Sequence, residues 1–141
     1  MTLAIAADDA ALELKDALIT HLAERDDVLV EDLGLEPDED YPDVAERVAY
    51  AVRDHRADRG VLLCGTGIGV AIAANKVPGI RAACCHDPYS AERARKSNDA
   101  QVLTMGARDR TAARLSGPRH MAGRRLRRRR LDAQGPEAGR T

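Results

Sequence analysis

Along residues 1 to 106 short apolar runs alternate with longer amphipathic stretches. Strand-like runs occur at Leu3 to Ala7, Val28 to Glu31, Gly60 to Cys64, Ile80 to Cys85 and Gln101 to Met105. Helical patterns fall between them, near residues 10 to 24, 42 to 56, 68 to 76 and 88 to 97. Strands that read as almost unbroken apolar runs, each followed by an amphipathic helix, imply a parallel sheet covered on both faces and joined by right-handed crossovers. The expected fold class is α/β: a three-layer α/β/α sandwich around a five-stranded parallel sheet, Rossmann-like in plan. In such sheets ligands bind beyond the carboxyl ends of the strands. The loops to watch are therefore Ala7 to Ala10, Asp32 to Tyr41, Cys64 to Gly69, His86 to Tyr89 and the segment from Gly106 onward.

Composition narrows the partners. A chain of 141 residues suits about one domain. Phe and Trp are absent, and Tyr41, Tyr50 and Tyr89 are the only aromatic residues, so the core is expected to be aliphatic and base-stacking platforms for nucleic acid are disfavoured. Cys64, Cys84 and Cys85 are odd in number and two are adjacent, which makes neither a disulfide framework nor a metal-ligand spacing. Reduced thiols are expected, with Cys84 and Cys85 as core residues of the fourth strand. No stretch approaches the roughly 20 apolar residues of a membrane span, and the N-terminus lacks the basic-then-apolar order of a signal peptide. A cytoplasmic protein is expected.

The run "VLLCGTGIGV" at 61 to 70 carries the chemistry. It ends a strand at Cys64 and turns into a helix through glycines 65, 67 and 69. Such glycines permit positive φ and close approach, so successive N–H groups can converge on an anion at the helix N-terminus. No Gly-Lys-Ser/Thr follows, which excludes a Walker loop, and the first strand–helix turn, "AADDAA", lacks the dinucleotide fingerprint. A thiol beside such a cradle is expected to ionise more readily than a free one and to serve as nucleophile or base. Locally, the same pattern also reads as a buried strand-end cysteine beside a tight turn.

The wider string "ADRGVLLCGTGIGVAIAANKVPGIRAACCHDPYSAERARKSNDAQVLTMGAR", residues 57 to 108, closely resembles the ribose-5-phosphate isomerase B and galactose-6-phosphate isomerase family. "LAIAADDAALELK" at 3 to 15 and "DYPDVAERVA" at 40 to 49 resemble that family's N-terminal and second-helix motifs. The resemblance implies an isomerase domain over 1 to 108 that interconverts an aldose phosphate and a ketose phosphate through a cis-enediolate, with no cofactor and no metal. By the same resemblance Cys64 is the base, Thr66 assists proton movement between the two oxygens, and the N–H groups from Gly65 through Gly67 to Gly69 hold the enediolate. Asp8 would contact the sugar hydroxyls, with Asp9, Tyr41, Ser97 and Asn98 at further pocket positions, while Arg108 is the phosphate-binding candidate. Helix cap, packed pre-proline residue and turn former are the alternatives for Asp8, Tyr41 and Asn98. Val70 stands where some relatives carry a catalytic Glu, so Cys64 has no evident substitute. The family also implies a homodimer, or a dimer of dimers, in which the loop around Asn98 and Arg108 reaches the neighbour's Cys64 pocket.

Two imidazoles of the family pattern are missing. Ser97 replaces the His that helps open a furanose ring, and Asp9 replaces the His after the first-loop Asp. A tetrose 4-phosphate cannot close that ring, because its O4 is esterified. The sequence resembles the family branch that interconverts D-erythrulose 4-phosphate and D-erythrose 4-phosphate, which is the expected activity; a ribose 5-phosphate isomerase and a catalytically weak sugar-phosphate binder are the alternatives. Charge sets the end of the chain apart. Residues 1 to 106 carry 11 Lys or Arg against 20 Asp or Glu, whereas residues 107 to 141 carry 11 Arg against 3 acids. The segment 109 to 141, with "GRRLRRRRL" at 123 to 131, departs from the family's apolar final helix and reads as a shifted reading frame in a GC-rich gene rather than as a nucleic-acid-binding tail.

Overall fold

The computed structural model describes residues 1–108. β1 (Thr2–Ala7) leads through a single 3-10 turn (Asp9–Ala11) into α1 (Leu12–Leu22); β2 (Leu29–Asp32), α2 (Tyr41–Arg53), β3 (Arg59–Cys64), α3 (Ile68–Asn75), β4 (Ala82–Cys84), α4 (Pro88–Asn98) and β5 (Val102–Gly106) follow. The five strands form one parallel sheet in the order β2-β1-β3-β5-β4. The expected α/β class and the alternation of elements hold, with ends moved by up to three residues. Segment 109 to 141, with its reading-frame and basic-tail expectations, lies outside the described residues.

Alternation along each strand divides the core into two layers. Leu3, Ile5, Ala7, Val61 and Leu63 face α1, where Ala11, Leu14, Leu18 and Ile19 meet them. Ala4, Ala6, Leu62, Cys64 and Val102 face α2 and α3, against Val44, Val48, Val52, Val70 and Ala74. The core is aliphatic: Ile5, Leu62, Leu63, Val44, Val48, Val70 and Val102 are among the largest fully buried side chains. Local signals start the helices where the site needs them. Asp40 and Asp43 form a capping box at the start of α2, with Pro42 in its first turn, and Asp87 caps α4 by accepting from Ser90 N at 2.7 Å.

Cys84 departs from the expected core position. β4 is a three-residue edge strand, and Cys84 at its end is only half-buried, whereas Cys85 just beyond is buried. All three cysteines are free thiols. Helix α4 buries none of its residues. Among the described residues no helix is long and apolar enough to cross a membrane, and no cluster of metal-ligating side chains is present.

The connection from β1 leads outward to β2, while that from β3 leads the opposite way to β4. The crevice between the carboxyl ends of β1 and β3 is therefore the point where strand order reverses, the usual ligand position in open α/β sheets. Asp8 follows β1 and Cys64 ends β3; the Asp8 N–H donates to Leu63 O at 3.1 Å across the crevice.

Candidate active site

Cys64 is 5% exposed, and its Sγ accepts a hydrogen bond from the Gly67 N–H at 3.1 Å. That contact requires the chain to fold back sharply. Gly67 does so at φ +76, in the left-handed region where an L side chain is strained. Of the three loop glycines only this one has positive φ. Gly65 and Gly69 serve close approach instead. A Cβ on Gly65 would lie 3.2 Å from Arg108 Nε, and one on Gly69 would lie 2.8 Å from Tyr41 Cε2.

Thr66 sits at the mouth of the loop, exposed, with its Oγ1 accepting from the Ile68 N–H at 3.2 Å. One acceptor position is thereby used, and the hydroxyl proton stays available to a ligand oxygen. Among the described residues the N–H groups of Gly65, Thr66 and Gly69 make no hydrogen bond. They flank the N-terminus of α3, where the helix dipole favours negative charge. A buried thiol, a hydroxyl with a transferable proton and open backbone donors thus share one turn of chain.

Asp8 is buried and takes the helix-cap role, its Oδ1 accepting from Ala10 N at 3.1 Å, while its position at the crevice keeps it beside the loop. Asp9 is exposed in the first turn, where the helix end suits a carboxylate. Tyr41, at the start of α2, is buried with its ring over Gly69, so packing residue and pocket wall are one position. Arg108 reaches the loop of its own chain: its N–H donates to Gly65 O at 3.1 Å and its guanidinium lies over Gly65. Within one chain this placement follows from β5 lying beside β3 and ending level with Cys64.

Ser97 and Asn98 are not brought to this site. They end α4, where the Asn98 carbonyl accepts from Arg81 at 3.1 Å beside the start of β4. β5 separates them from the loop, and its four residue steps at roughly 3.3 Å each span about 13 Å. Within one chain they lie at the amino-terminal edge of the sheet, opposite Cys64.

Three contributors were not among the expected site residues, although His86 and Gly106 fall at the start of loops marked for attention. Gly106 packs its Cα against the Thr66 backbone, where a Cβ would come within 2.7 Å. Thr104, fully buried, donates from Oγ1 to the Gly67 carbonyl at 2.7 Å. His86 places Nε2 3.5 Å from Cys84 Sγ, which itself lies 3.8 Å from the Thr66 carbonyl oxygen. Each depends on β5 lying next to β3 with β4 beyond it, an order that no local motif announces.

The sequence profile of the ribose/galactose isomerase family matches residues 3–115. Over 111 residues the chain is 52% identical to the D-erythrulose-4-phosphate isomerase of Pectobacterium atrosepticum, covering 77% of this chain and 72% of that protein. Over 109 residues it is 55% identical to the ribose-5-P isomerase B of Listeria innocua, covering 76% and 73%. Its fold is similar to the solved structure of Clostridium thermocellum ribose-5-phosphate isomerase B, with a TM-score of 0.73 and 44% identity over 77% of this chain and 74% of that one.

Proposed function

Because the chain belongs to the ribose/galactose isomerase family and is a sugar-phosphate isomerase, we propose that it interconverts D-erythrulose 4-phosphate and D-erythrose 4-phosphate through a cis-enediolate. The observation that carries this reading is the make-up of the pocket. By the family resemblance Ser97 stands where the ring-opening His would be and Asp9 where a second His would be, so neither matched position carries an imidazole. A four-carbon 4-phosphate stays open-chain and needs no ring-opening acid.

In the direction of the aldose, the Cys64 thiolate takes a proton from C1 of the ketose, and the electron pair moves into a C1–C2 double bond as charge develops on O2. The N–H groups of Gly65, Thr66 and Gly69 receive that charge, as an oxyanion hole does. Thr66 relays the O1 proton to O2, and the Cys64 thiol returns its proton to C2. Every proton is accounted for, so the reaction calls for no redox cofactor. Arg108 holds the phosphate beside Gly65.

The site is completed by a second copy of the chain. Ser97 and Asn98 lie too far from their own Cys64, and Ile68 and Ile72, one turn apart on α3, are 56% and 45% exposed next to the loop. Mixing Cys64→Ala with Asn98→Ala protein tests the shared site: random pairing leaves one intact site in half the dimers, recovering about a quarter of wild-type activity, and no recovery contradicts it.

Ribose 5-phosphate is the second reading, favoured by His86, the imidazole nearest the loop among the described residues. Turnover of both sugars, measured side by side, separates the two. Preference for the tetrulose supports the proposal; preference for the pentose refutes it and assigns ring opening to another group.

A further inference from the structure

We propose that Thr104, a buried strand residue that does not line the pocket, is a positioning residue for the Cys64 thiol, acting through Gly67. The proposal rests on Cys64 being the reacting thiol. Thr104 faces the α2 and α3 layer with Val102, is 0% exposed, and places its Oγ1 2.7 Å from the Gly67 carbonyl oxygen. A hydroxyl taken wholly out of water is unfavourable unless it is hydrogen-bonded, and this one spends its proton on a single peptide of the loop.

Gly67 joins that peptide to the preceding one, which holds the thiol. Gly67 accepts from Thr104 through its carbonyl and donates through its N–H to Cys64 Sγ at 3.1 Å. Its two flanking torsions, φ +76 and ψ −4, link the two contacts, so holding the carbonyl holds the direction of the N–H. The other hydrogen bonds from the end of β5 to the loop come from backbone N–H groups, Ala107 to Cys64 O at 2.9 Å and Arg108 to Gly65 O at 3.1 Å; Gly67 packs closely on the Met105 backbone, Gly106 on the Thr66 backbone, and the Arg108 guanidinium over Gly65. Thr104 is the one side chain in this set that hydrogen-bonds the loop. Without its hydroxyl the carbonyl loses a buried donor, and a left-handed glycine has other conformations to adopt.

Thr104→Val keeps the side-chain shape and removes the donor; Thr104→Ser keeps the donor and removes a methyl group. The expected result is a fall in kcat of about tenfold or more for Thr104→Val with KM within about twofold, and recovery by Thr104→Ser to within about threefold of wild type. Amide hydrogen exchange at Gly67 should lose protection in Thr104→Val and keep it in Thr104→Ser, with protection of the central strands unchanged in both. The exchange readout needs no sugar, so it stands even if the assigned substrate or the role of Cys64 is wrong. Equal kcat in wild type and Thr104→Val, equal loss in both variants, or unchanged Gly67 protection in Thr104→Val would each overturn the proposal.

Discussion

Replacing Gly67 by Ala probes the turn on which the site depends. A Cβ there would meet the Met105 carbonyl carbon at 2.6 Å, its Cα at 2.9 Å and Gly106 N at 3.0 Å, all backbone atoms of a central strand that cannot swing aside. Two penalties combine. Holding a non-glycine residue at φ +76 costs about 1–2 kcal/mol, and forcing an extra methyl group into a filled space costs about 1–3 kcal/mol. The expected loss is about 2–5 kcal/mol, a large share of the roughly 5–15 kcal/mol that holds a domain folded. Gly34 and Gly79 supply the control: their φ values are +71 and +86, and nothing lies within 4 Å of a Cβ at either position. Gly34→Ala and Gly79→Ala should therefore show only the backbone penalty. Urea unfolding of the three variants, with the slope checked for constancy, measures the difference, which should be about 1–3 kcal/mol greater for Gly67→Ala. If Gly67→Ala costs no more than the two controls, the close packing of the loop on β5 is not what holds it.

Three further outcomes are expected. Arg108→Gln should raise KM by about 10- to 100-fold with little change in kcat, because it removes charge-assisted contacts to a phosphate held alike in ground and transition states; a loss confined to kcat would place Arg108 in the proton chemistry instead. Burial, aided by the neighbouring Cys84 and Asp87, raises the Cys85 thiol above its ordinary range. The neutral thiol therefore persists to higher pH, and iodoacetamide labelling followed by mass spectrometry between about pH 7 and 9 should find Cys85 trailing Cys84 throughout; equal rates would contradict this. Lys15, buried on α1, pairs with Asp32 at 3.0 Å. Since Asp32 is partly exposed, Lys15→Met should lower urea stability by only about 1–3 kcal/mol, and an unchanged midpoint would show the pair to be neutral.

The fold was legible because its signals are local. Apolar runs such as residues 60–64 and glycine-rich turns announce strands and their ends, and Asp40 and Asp87 sit where caps belong. Cys64 and Thr66 could be located for the same reason, since a strand end and the following turn are neighbours in sequence. Strand order is not local. That β5 rather than β4 lies beside β3 brings Thr104, Gly106 and Arg108 against the loop, and nothing in "QVLTMGAR" distinguishes that neighbour from an edge strand. The same order leaves Cys84 half-buried at the edge. Asn98 shows the limit of matching motifs: it falls within the family pattern, yet within the chain α4 carries it to the far edge of the sheet from Cys64.

The central claim is that Cys64 moves a carbon-bound proton. The most direct test is to incubate wild-type and Cys64→Ala protein with D-erythrulose 4-phosphate in deuterium oxide and follow C–H signals by NMR. Wild type should exchange the C1 proton of the ketose and place deuterium at C2 of the aldose, the two carbons of the enediolate double bond, while Cys64→Ala should slow this exchange by at least about 100-fold. Exchange at the wild-type rate in Cys64→Ala would contradict the account and move the base elsewhere in the pocket.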